Sequence, residues 1–265
     1  MNDHRRVSTA SRFLHAHFLW FLLGSYAVAA LWPATGLWIR DVSLGEVGFA
    51  GQRTRLTLPL LMLALLLINA GLGVKTSRLR NLLRSTPLLA SGLAANLLIP
   101  IAFIFGVSQI MRLWHEPDEV QNLLVGLALV ASMPIAGSST AWSQNNNGSM
   151  ALSLGLVLLS TLLSPLTTPA ALHAVGLMAS GSYATTLHHL AAQDTGMFLT
   201  ACVVLPSFLG ILGRVVVGGS RIDSAKPHLK LANSINLLLL NYSNASVSLP
   251  RAIADPDWDF LAVTL

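Results

Sequence analysis

Long runs of apolar residues alternate with short polar segments along the whole chain. Runs such as LPLLMLALLLINAGLGV, residues 58–74, approach the roughly 20 residues that a helix needs to cross a bilayer. They do not alternate apolar with polar positions, as the roughly ten-residue strands of a membrane barrel do. The pattern therefore predicts an all-α, multi-spanning bundle of seven transmembrane helices, at about 14–33, 57–74, 86–111, 121–142, 149–177, 195–217 and 231–249.

The two ends of the chain leave alternatives open. The first run follows a basic segment and contains AVA at residues 27–29, which is also the pattern of a cleaved signal peptide. We favour a first span, because the topology of the other spans requires an N-terminus inside the cell. The last residues, DWDFLAVTL, begin another apolar segment, and a partial span cannot satisfy its backbone in lipid. We therefore expect residues 1–265 to be one transmembrane domain that is incomplete at its C-terminus.

Composition agrees with a membrane protein. Hydrophobic residues make up 53% of the chain, charged residues only 10%, and the mean hydropathy is +0.63. Soluble domains carry roughly 25% charged residues. This chain has too few charged residues to cover its surface in water. The single Cys202 excludes an internal disulfide and disfavours a cysteine metal cluster.

The basic residues indicate an orientation. With the N-terminus in the cytoplasm, the sixteen Lys and Arg residues split eleven inside to five outside, as the positive-inside rule requires. The eleven acidic residues split two inside to nine outside. This distribution explains the net charge of +5 without a nucleic-acid partner. We predict a multi-pass protein of a bacterial-type inner (plasma) membrane with a cytoplasmic N-terminus.

A polar segment interrupts the fourth predicted span. The helix-forming run NLLVGLALVASM, residues 122–133, leads to Pro134, and the sequence AGSSTAWSQNNN follows from residue 136. Pro removes a backbone donor, and Gly, Ser and Thr propagate a helix poorly. Transporters use broken helices of this kind to bind ions and substrates near the midplane of the membrane. An ordinary kink whose hydroxyls bond their own backbone explains the composition equally well.

The block PIAGSSTAWSQNNNGSMALSLGLVLLSTLLSPLTTP, residues 134–169, resembles the most characteristic stretch of the bile acid:sodium symporter family. Members there typically read P-G-G-T-x-S-N, then G-x-x-A-L-S, then S-T-L-x-S-P-L-x-T-P. Residues 68–87 and 92–100 resemble the second and third spans of the same family more weakly. The matching positions in the block are Pro134, Ser139, Gly148, Ala151, Leu152, Ser153, Ser160, Thr161, Ser164, Pro165, Thr168 and Pro169.

The resemblance implies a ten-helix fold built as an inverted repeat of five plus five helices. Residues 14–177 would form the first repeat and 195–265 the start of the second. Two broken helices would cross near the centre, and a sodium gradient would drive a small organic anion inward. Sodium is then a coupling ion, and no further cofactor and no enzymatic activity are expected.

The resemblance also suggests site residues. The family takes sodium ligands from the Ser of its S-N pair and the Ser of A-L-S, which are Ser139 and Ser153 here, and we add Thr140. Hydroxyl and carbonyl oxygens suit a hard cation. We expect Asn96 and Ser138 to line the substrate cavity.

The chain departs from the family pattern at several positions. Thr140 replaces the Asn of the S-N pair, and Val157 replaces a further hydroxyl ligand. The two glycines of P-G-G are replaced at 135–136. In the third span Ala95 stands where the family has Gln, with Asn96 one position along. The ninth span, which supplies an acid and a Gln in the family, has no counterpart in residues 1–265. Sodium held by neutral groups alone would keep much of its dehydration cost.

Span seven carries a separate polar pattern. Asn236, Asn241, Asn244 and Ser248 recur at spacings that favour one helical stripe. Such side chains often bond a neighbouring helix, and a substrate-facing role for Asn241 and Asn244 is the alternative.

Two enzymatic or metal alternatives carry less support in the sequence. His188 and His189 are adjacent and do not share a helix face, so we expect a wet external loop there rather than a metal site. The serines of the break have no His or acid nearby in sequence, which disfavours an intramembrane hydrolase.

The leading hypothesis is therefore a sodium-coupled symporter of organic anions, such as bile-acid-like or keto-acid compounds. A proton-coupled or uncoupled anion transporter is the first alternative, because of the changes at Thr140 and Val157. A non-transporting membrane scaffold or remnant is the second.

Overall fold

The structure is a computed structural model, and it describes residues 13–14, 16–49, 52–74, 86–114, 116–136, 139, 143, 149–192 and 195–254. The chain divides into two compact units. One unit is Met1–Gly73 with Pro206–Leu265, and the other is Val74–Leu205. The predicted repeats, 14–177 and 195–265, concern internal symmetry rather than compactness, so they stay a prediction.

The chain bends sharply at the end of the first predicted span. Helix α1, Phe18–Leu31, is followed by helix α2, Ala34–Asp41, at an angle of 94°. The residue before a proline avoids the α region, and Trp32 accordingly has φ −136° and ψ 73° just before Pro33. The predicted span over 14–33 covers α1 up to this bend, and the sequence did not predict α2 beyond it.

A β-hairpin separates α2 from the next helix, and the sequence reading did not foresee it. Strands β1, Ser43–Phe49, and β2, Gln52–Thr57, pair antiparallel with Glu46 opposite Arg55. These two side chains form an exposed ion pair at 4.0 Å. Such a pair contributes little to stability, so backbone pairing carries the hairpin.

Helix α3, Leu58–Gly73, crosses helix α9, Leu205–Val217, through two glycines. A Cβ on Gly210 would lie 2.1 Å from the carbonyl oxygen of Ile68, and one on Gly71 would lie 2.3 Å from that of Ser207. Small residues let membrane helices approach this closely, and a larger residue at either position would force the backbones apart.

An arginine closes the end of the same crossing. Arg214, only 7% exposed, donates to the carbonyl oxygen of Leu72 at 2.8 Å and to Asp223 Oδ1 at 3.0 Å. The Leu72 carbonyl is in the last turn of α3, where it has no intrahelical donor. Hydrogen bonds from Lys226 and then Arg214 lower the pKa of Asp223 below its usual range. Asp223 precedes the predicted span 231–249.

Helix α10, Gly219–Ala254, is far longer than the predicted span and packs on α1, α2 and α3. A Cβ on Gly36 of α2 would meet the Ser246 side chain, so α2 lies directly on α10 there. Tyr242 of α10 donates to the carbonyl oxygen of Trp32 at 2.6 Å and is bonded to Thr35. The Tyr242 hydroxyl thus satisfies backbone that the bend at Pro33 leaves free.

The second unit contains the polar block. Its first two helices are α4, Thr86–Ile110, which ends in a 3-10 turn at Met111–Leu113, and α5, Pro117–Ala131. Helices α6, Met150–Gly176, and α7, Gly181–Ala192, follow. The last helix is α8, Thr195–Leu199, and a π-helical turn at Thr200–Val204 joins it to α9. Its buried apolar core lies where α4, α5, α6 and α7 meet and includes Ile104, Leu124, Val175 and Leu187. The external loop predicted around His188 and His189 was wrong, because Leu187 buries its side chain in this core and the segment is helical.

Two prolines shape α6 and its contact with α8. Pro165 cannot donate to the carbonyl oxygen of Thr161, and the Ser164 hydroxyl donates to it instead at 2.8 Å. Pro169 likewise cannot donate to the Pro165 carbonyl oxygen. Gly196 of α8 approaches that oxygen so closely that a Cβ there would lie 2.6 Å from it. Helix-breaking residues are tolerated here because neighbours re-satisfy the freed backbone.

The all-α prediction is confirmed, apart from the hairpin. Within the described residues, three helices are long and apolar enough to cross a membrane, and there are four such spans if the bent pair α1 and α2 is counted as one. They are Thr86–Leu113, Leu152–Gly176 and Gly196–Val217. The chain is thus a helical membrane protein with several candidate spans.

Candidate functional site

Helix α6 presents a row of buried hydroxyls, which we call the hydroxyl stripe: Ser153, Ser160, Ser164 and Thr168. Their spacings of seven, four and four residues place them on one helix face. Each is at most 9% exposed. A buried hydroxyl needs a hydrogen-bond partner, so the partners of these four hydroxyls indicate which part of the structure they stabilise.

The stripe holds the backbone of the break that follows α5. The Ile135 amide donates to Ser160 Oγ at 3.0 Å, and the Thr168 hydroxyl donates to the carbonyl oxygen of Ser132 at 2.7 Å. Residues 134–136 have no helical or strand conformation, so their backbone groups need such side-chain partners. The helix ends at Ala131, earlier than the predicted span end at 142. Residues 134–136 are thus non-helical as predicted for the break at Pro134, and its position inside a membrane span stays a prediction.

The two serines predicted to bind sodium are brought together. Ser139 Oγ and Ser153 Oγ are 3.2 Å apart, although fourteen residues separate them in the sequence. Ser153 is in the first turn of α6, where the Ser149 hydroxyl caps the helix by accepting from the Leu152 amide at 3.2 Å. Ser139 joins the break through a bond from its amide to the Ala136 carbonyl oxygen at 3.0 Å. Two hydroxyl oxygens thus meet at the start of α6.

Thr140 and Ser138 lie outside the described residues, and their predicted roles as ion ligand and cavity lining stay predictions.

A small cavity lies beside the break and contains Asn96. Its volume is about 20 Å³, which is room for one water molecule or a small ion. Pro100 cannot donate to the Asn96 carbonyl oxygen, so both backbone and side chain of Asn96 offer oxygens in this region. The cavity is lined by Leu93, Asn96, Leu97, Ala131, Ser132, Met133, Pro134, Ser160 and Thr167.

Val157 stands where the resemblance predicts a further hydroxyl ligand, and its carbonyl oxygen already accepts two hydrogen bonds. It accepts from Ser160 Oγ at 3.1 Å and from Thr161 Oγ1 at 2.8 Å. Its side chain has no oxygen to offer. The Val157 side chain therefore cannot coordinate an ion, as expected from the departure of this position from the family pattern.

The asparagines of α10 lie in the other compact unit and have varied partners. Asn236 donates to the Met62 carbonyl oxygen at 2.8 Å, and Asn233 accepts from Asn69 of α3 at 3.0 Å. Asn241 donates to the Leu237 carbonyl oxygen of its own helix at 2.9 Å. Asn244 accepts from Arg40 at 3.4 Å. The helix-tying role that the sequence left open thus holds for Asn236, whereas Asn241 makes its bond within α10.

Sequence reasoning missed the functional partners of the break. Ser160 and Thr168 were predicted only as matching positions of the family motif, although the spacing of the four stripe residues, seven, four and four, is typical of one helix face. Asn69 was missed because a single amide in an apolar run carries no pattern. Among the described residues, no group of three or more His, Cys, Asp or Glu side chains is placed to hold a metal ion.

Comparison with known proteins adds one match. The model of the sodium bile acid symporter family matches residues 60–249, which includes the break, the hydroxyl stripe and most of α10. No curated protein matches the chain.

Proposed function

The chain belongs to the sodium bile acid symporter family, and we propose that it couples sodium entry to the uptake of a small organic anion. Membership implies a sodium-coupled solute transporter in a lipid bilayer, not an enzyme. We infer further that the seven predicted spans form part of a ten-helix inverted repeat, with 14–177 as its first repeat. We also infer an inner-membrane location with a cytoplasmic N-terminus.

The observation that carries the ion proposal is the pair of hydroxyls at the start of α6. At a metal–oxygen distance of about 2.4 Å, as calcium adopts, two oxygens 3.2 Å apart subtend roughly a right angle at the ion. That angle suits two neighbouring positions of a six-coordinate cation. Ser139 and Ser153 are accordingly the proposed sodium ligands, and Thr140 follows as the next hydroxyl in the chain.

The cavity beside the break could hold a bridging water or form part of the substrate path. Asn96 offers an amide there, and the stripe residue Ser160 borders it. We propose Asn96 and Ser138 as residues that line the substrate cavity. The volume of about 20 Å³ is too small for an organic anion, so the substrate requires a more open arrangement.

Substrate-facing roles for Asn241 and Asn244 are proposed on a different ground. Asn241 bonds within its own helix, and Asn244 accepts from an exposed Arg40. Neither amide ties α10 to α3 in the way that Asn236 does. An arginine beside an asparagine is also suited to an anion, because guanidinium donates hydrogen bonds to carboxylates.

The test is sodium dependence in the protein itself. We would reconstitute the purified full-length protein, measure ²²Na⁺ binding, and measure sodium-driven uptake of labelled steroid and keto-acid anions. Replacing Ser139→Ala and Ser153→Ala together is expected to abolish both. Ser91→Ala is the matched control, because that exposed hydroxyl bonds only the Leu88 carbonyl oxygen of its own helix. Sodium binding and uptake that survive in a double variant of unchanged melting temperature would contradict the assignment.

Proton-coupled or uncoupled transport is the second candidate. It is favoured by Val157, which has no side-chain oxygen and whose carbonyl already accepts two bonds. Uptake that follows a pH gradient and ignores sodium would select this candidate over the first.

A further inference from the structure

Two histidines meet at the junction of α6 and α7. His173 is in the last turn of α6, and His188 is in α7. Their Nδ1 atoms are 3.0 Å apart, and their rings are tilted by 56° with centroids 4.7 Å apart. Neutral rings form one hydrogen bond in this arrangement, with one nitrogen as donor and the other as acceptor.

The surrounding packing contacts the His188 ring, whereas the His173 ring is exposed. Val175 and Leu187, the neighbours of the pair in sequence, are fully buried in the same apolar core. A Cβ on Gly176 would lie 2.9 Å from the His188 ring, so only glycine leaves space for the imidazole. The Ser180 amide in the turn between the helices donates to the Gln121 side chain at 2.9 Å. The two helices that carry the histidines are thus packed together at this junction.

We propose that His173 and His188 form a binding site for a divalent transition metal of the copper or nickel type. Neutral imidazole nitrogen is a common ligand of these metals. At a metal–nitrogen distance of about 2.1 Å, two nitrogens on neighbouring corners of a square-planar site lie roughly 3.0 Å apart. The observed separation of 3.0 Å equals that value. Moving the Nδ1 proton of one ring to its own Nε2 leaves an unprotonated Nδ1 on each ring, and a turn of both rings directs the two lone pairs at one ion.

The order of affinities is predictable. Copper(II) binds nitrogen sites more tightly than nickel or zinc, and its square-planar preference fits the right-angle arrangement. No third His, Cys, Asp or Glu completes a cluster within the described residues, so water would fill the remaining positions. We therefore expect moderate affinity.

Metal binding would join the C-terminal end of α6 to α7. Helix α6 also carries the hydroxyl stripe and the proposed ion ligand Ser153. The proposed metal site is chemically independent of the proposed sodium ligands, because hydroxyls are poor ligands for copper and imidazole is a poor ligand for sodium.

Copper(II) itself is the probe. The purified full-length protein would be titrated with Cu²⁺ and followed by electron paramagnetic resonance, in which two bound nitrogens give a characteristic splitting. His173→Gln and His188→Gln are each expected to remove this two-nitrogen signal and to weaken binding at least tenfold. His189→Gln is the matched control, because it is adjacent in sequence but exposed on another face of α7.

Three outcomes decide the proposal. Loss of the signal in the two pair variants, with His189→Gln unchanged, supports it. A signal that persists in both pair variants, or that disappears equally in the control, overturns it. Melting temperatures measured without metal identify a variant that fails to fold. In that case Cu²⁺ should still raise the melting temperature of the wild type and of His189→Gln, and no rise in either overturns the proposal.

Discussion

The hydroxyl stripe of α6 and the asparagines of α10 use similar polarity in different ways. On α6, Ser160 and Thr168 bond the backbone of a neighbouring broken segment, and Ser153 meets another hydroxyl. On α10, Asn233 and Asn236 bond the apolar helix α3. The first set holds a non-helical backbone in place, whereas the second joins two regular helices. The structure of the partner segment, rather than the polarity of the residue itself, therefore distinguishes the two sets.

The largest effect is expected at the break. Thr168→Val keeps the shape of the side chain but leaves the Ser132 carbonyl oxygen without its donor at a buried position. An unsatisfied buried acceptor costs about 2 kcal/mol of folding free energy. The same change should weaken ²²Na⁺ binding, since the segment before Ser139 is less firmly held. Thermal unfolding and ²²Na⁺ binding measure the two effects.

Thr168→Ser restores the hydroxyl and should recover both properties. Thr161→Val is the control, because Thr161 bonds the Val157 carbonyl oxygen of its own helix. If Thr168→Val has the unfolding free energy and the sodium affinity of the wild type, the stripe does not stabilise the break.

A smaller effect is expected for the asparagines. Asn236→Leu removes the bond to the Met62 carbonyl oxygen, and interhelical bonds of this kind contribute roughly 0.6 kcal/mol in membranes. Asn241→Leu should leave stability nearly unchanged, because its bond lies within α10. Reversible unfolding in detergent measures both. Equal losses in the two variants would remove the distinction between helix-tying and substrate-facing asparagines.

The smallest effect concerns pH. The lowered pKa of Asp223, caused first by Lys226 and then by Arg214, means that the carboxylate stabilises the fold above its unfolded-state pKa. This contribution is lost as the pH falls through the lower folded-state pKa. The melting temperature of the wild type should therefore exceed that of Asp223→Asn at neutral pH, and the difference should shrink in acid. A difference that grows in acid would contradict this sign.

The success of the sequence reading varied with the length of the apolar run. The predicted spans 86–111 and 149–177 agree closely with Thr86–Ile110 and Met150–Gly176, because a membrane helix needs a long apolar run that is visible in the sequence. Helix α10 extends beyond the predicted span 231–249 at both ends, because its polar residues continue the helix where it packs on α1, α2 and α3. The bend at Pro33 was missed for a different reason. A proline ends a helix visibly, but the direction taken afterwards depends on packing against Tyr242.

The candidate site was partly readable. Ser139 and Ser153 were selected from a motif, and their hydroxyls do meet. The roles of Ser160 and Thr168 were not readable, because a hydroxyl in a helix bonds its own backbone unless a neighbour presents a better partner. The histidine pair was also missed, since His173 and His188 are separated by a turn whose geometry no local pattern specifies.

The sequence by itself determined the membrane class, the position of the main apolar helices, the break at Pro134 and the family resemblance. Each depends on composition or on local backbone chemistry, which neighbouring residues suffice to set. Only the tertiary structure decided which polar groups meet: Ser139 with Ser153, Thr168 with Ser132, Arg214 with Leu72 and His173 with His188. Those meetings follow from how helices pack, and packing is a property of surfaces brought together from distant parts of the chain.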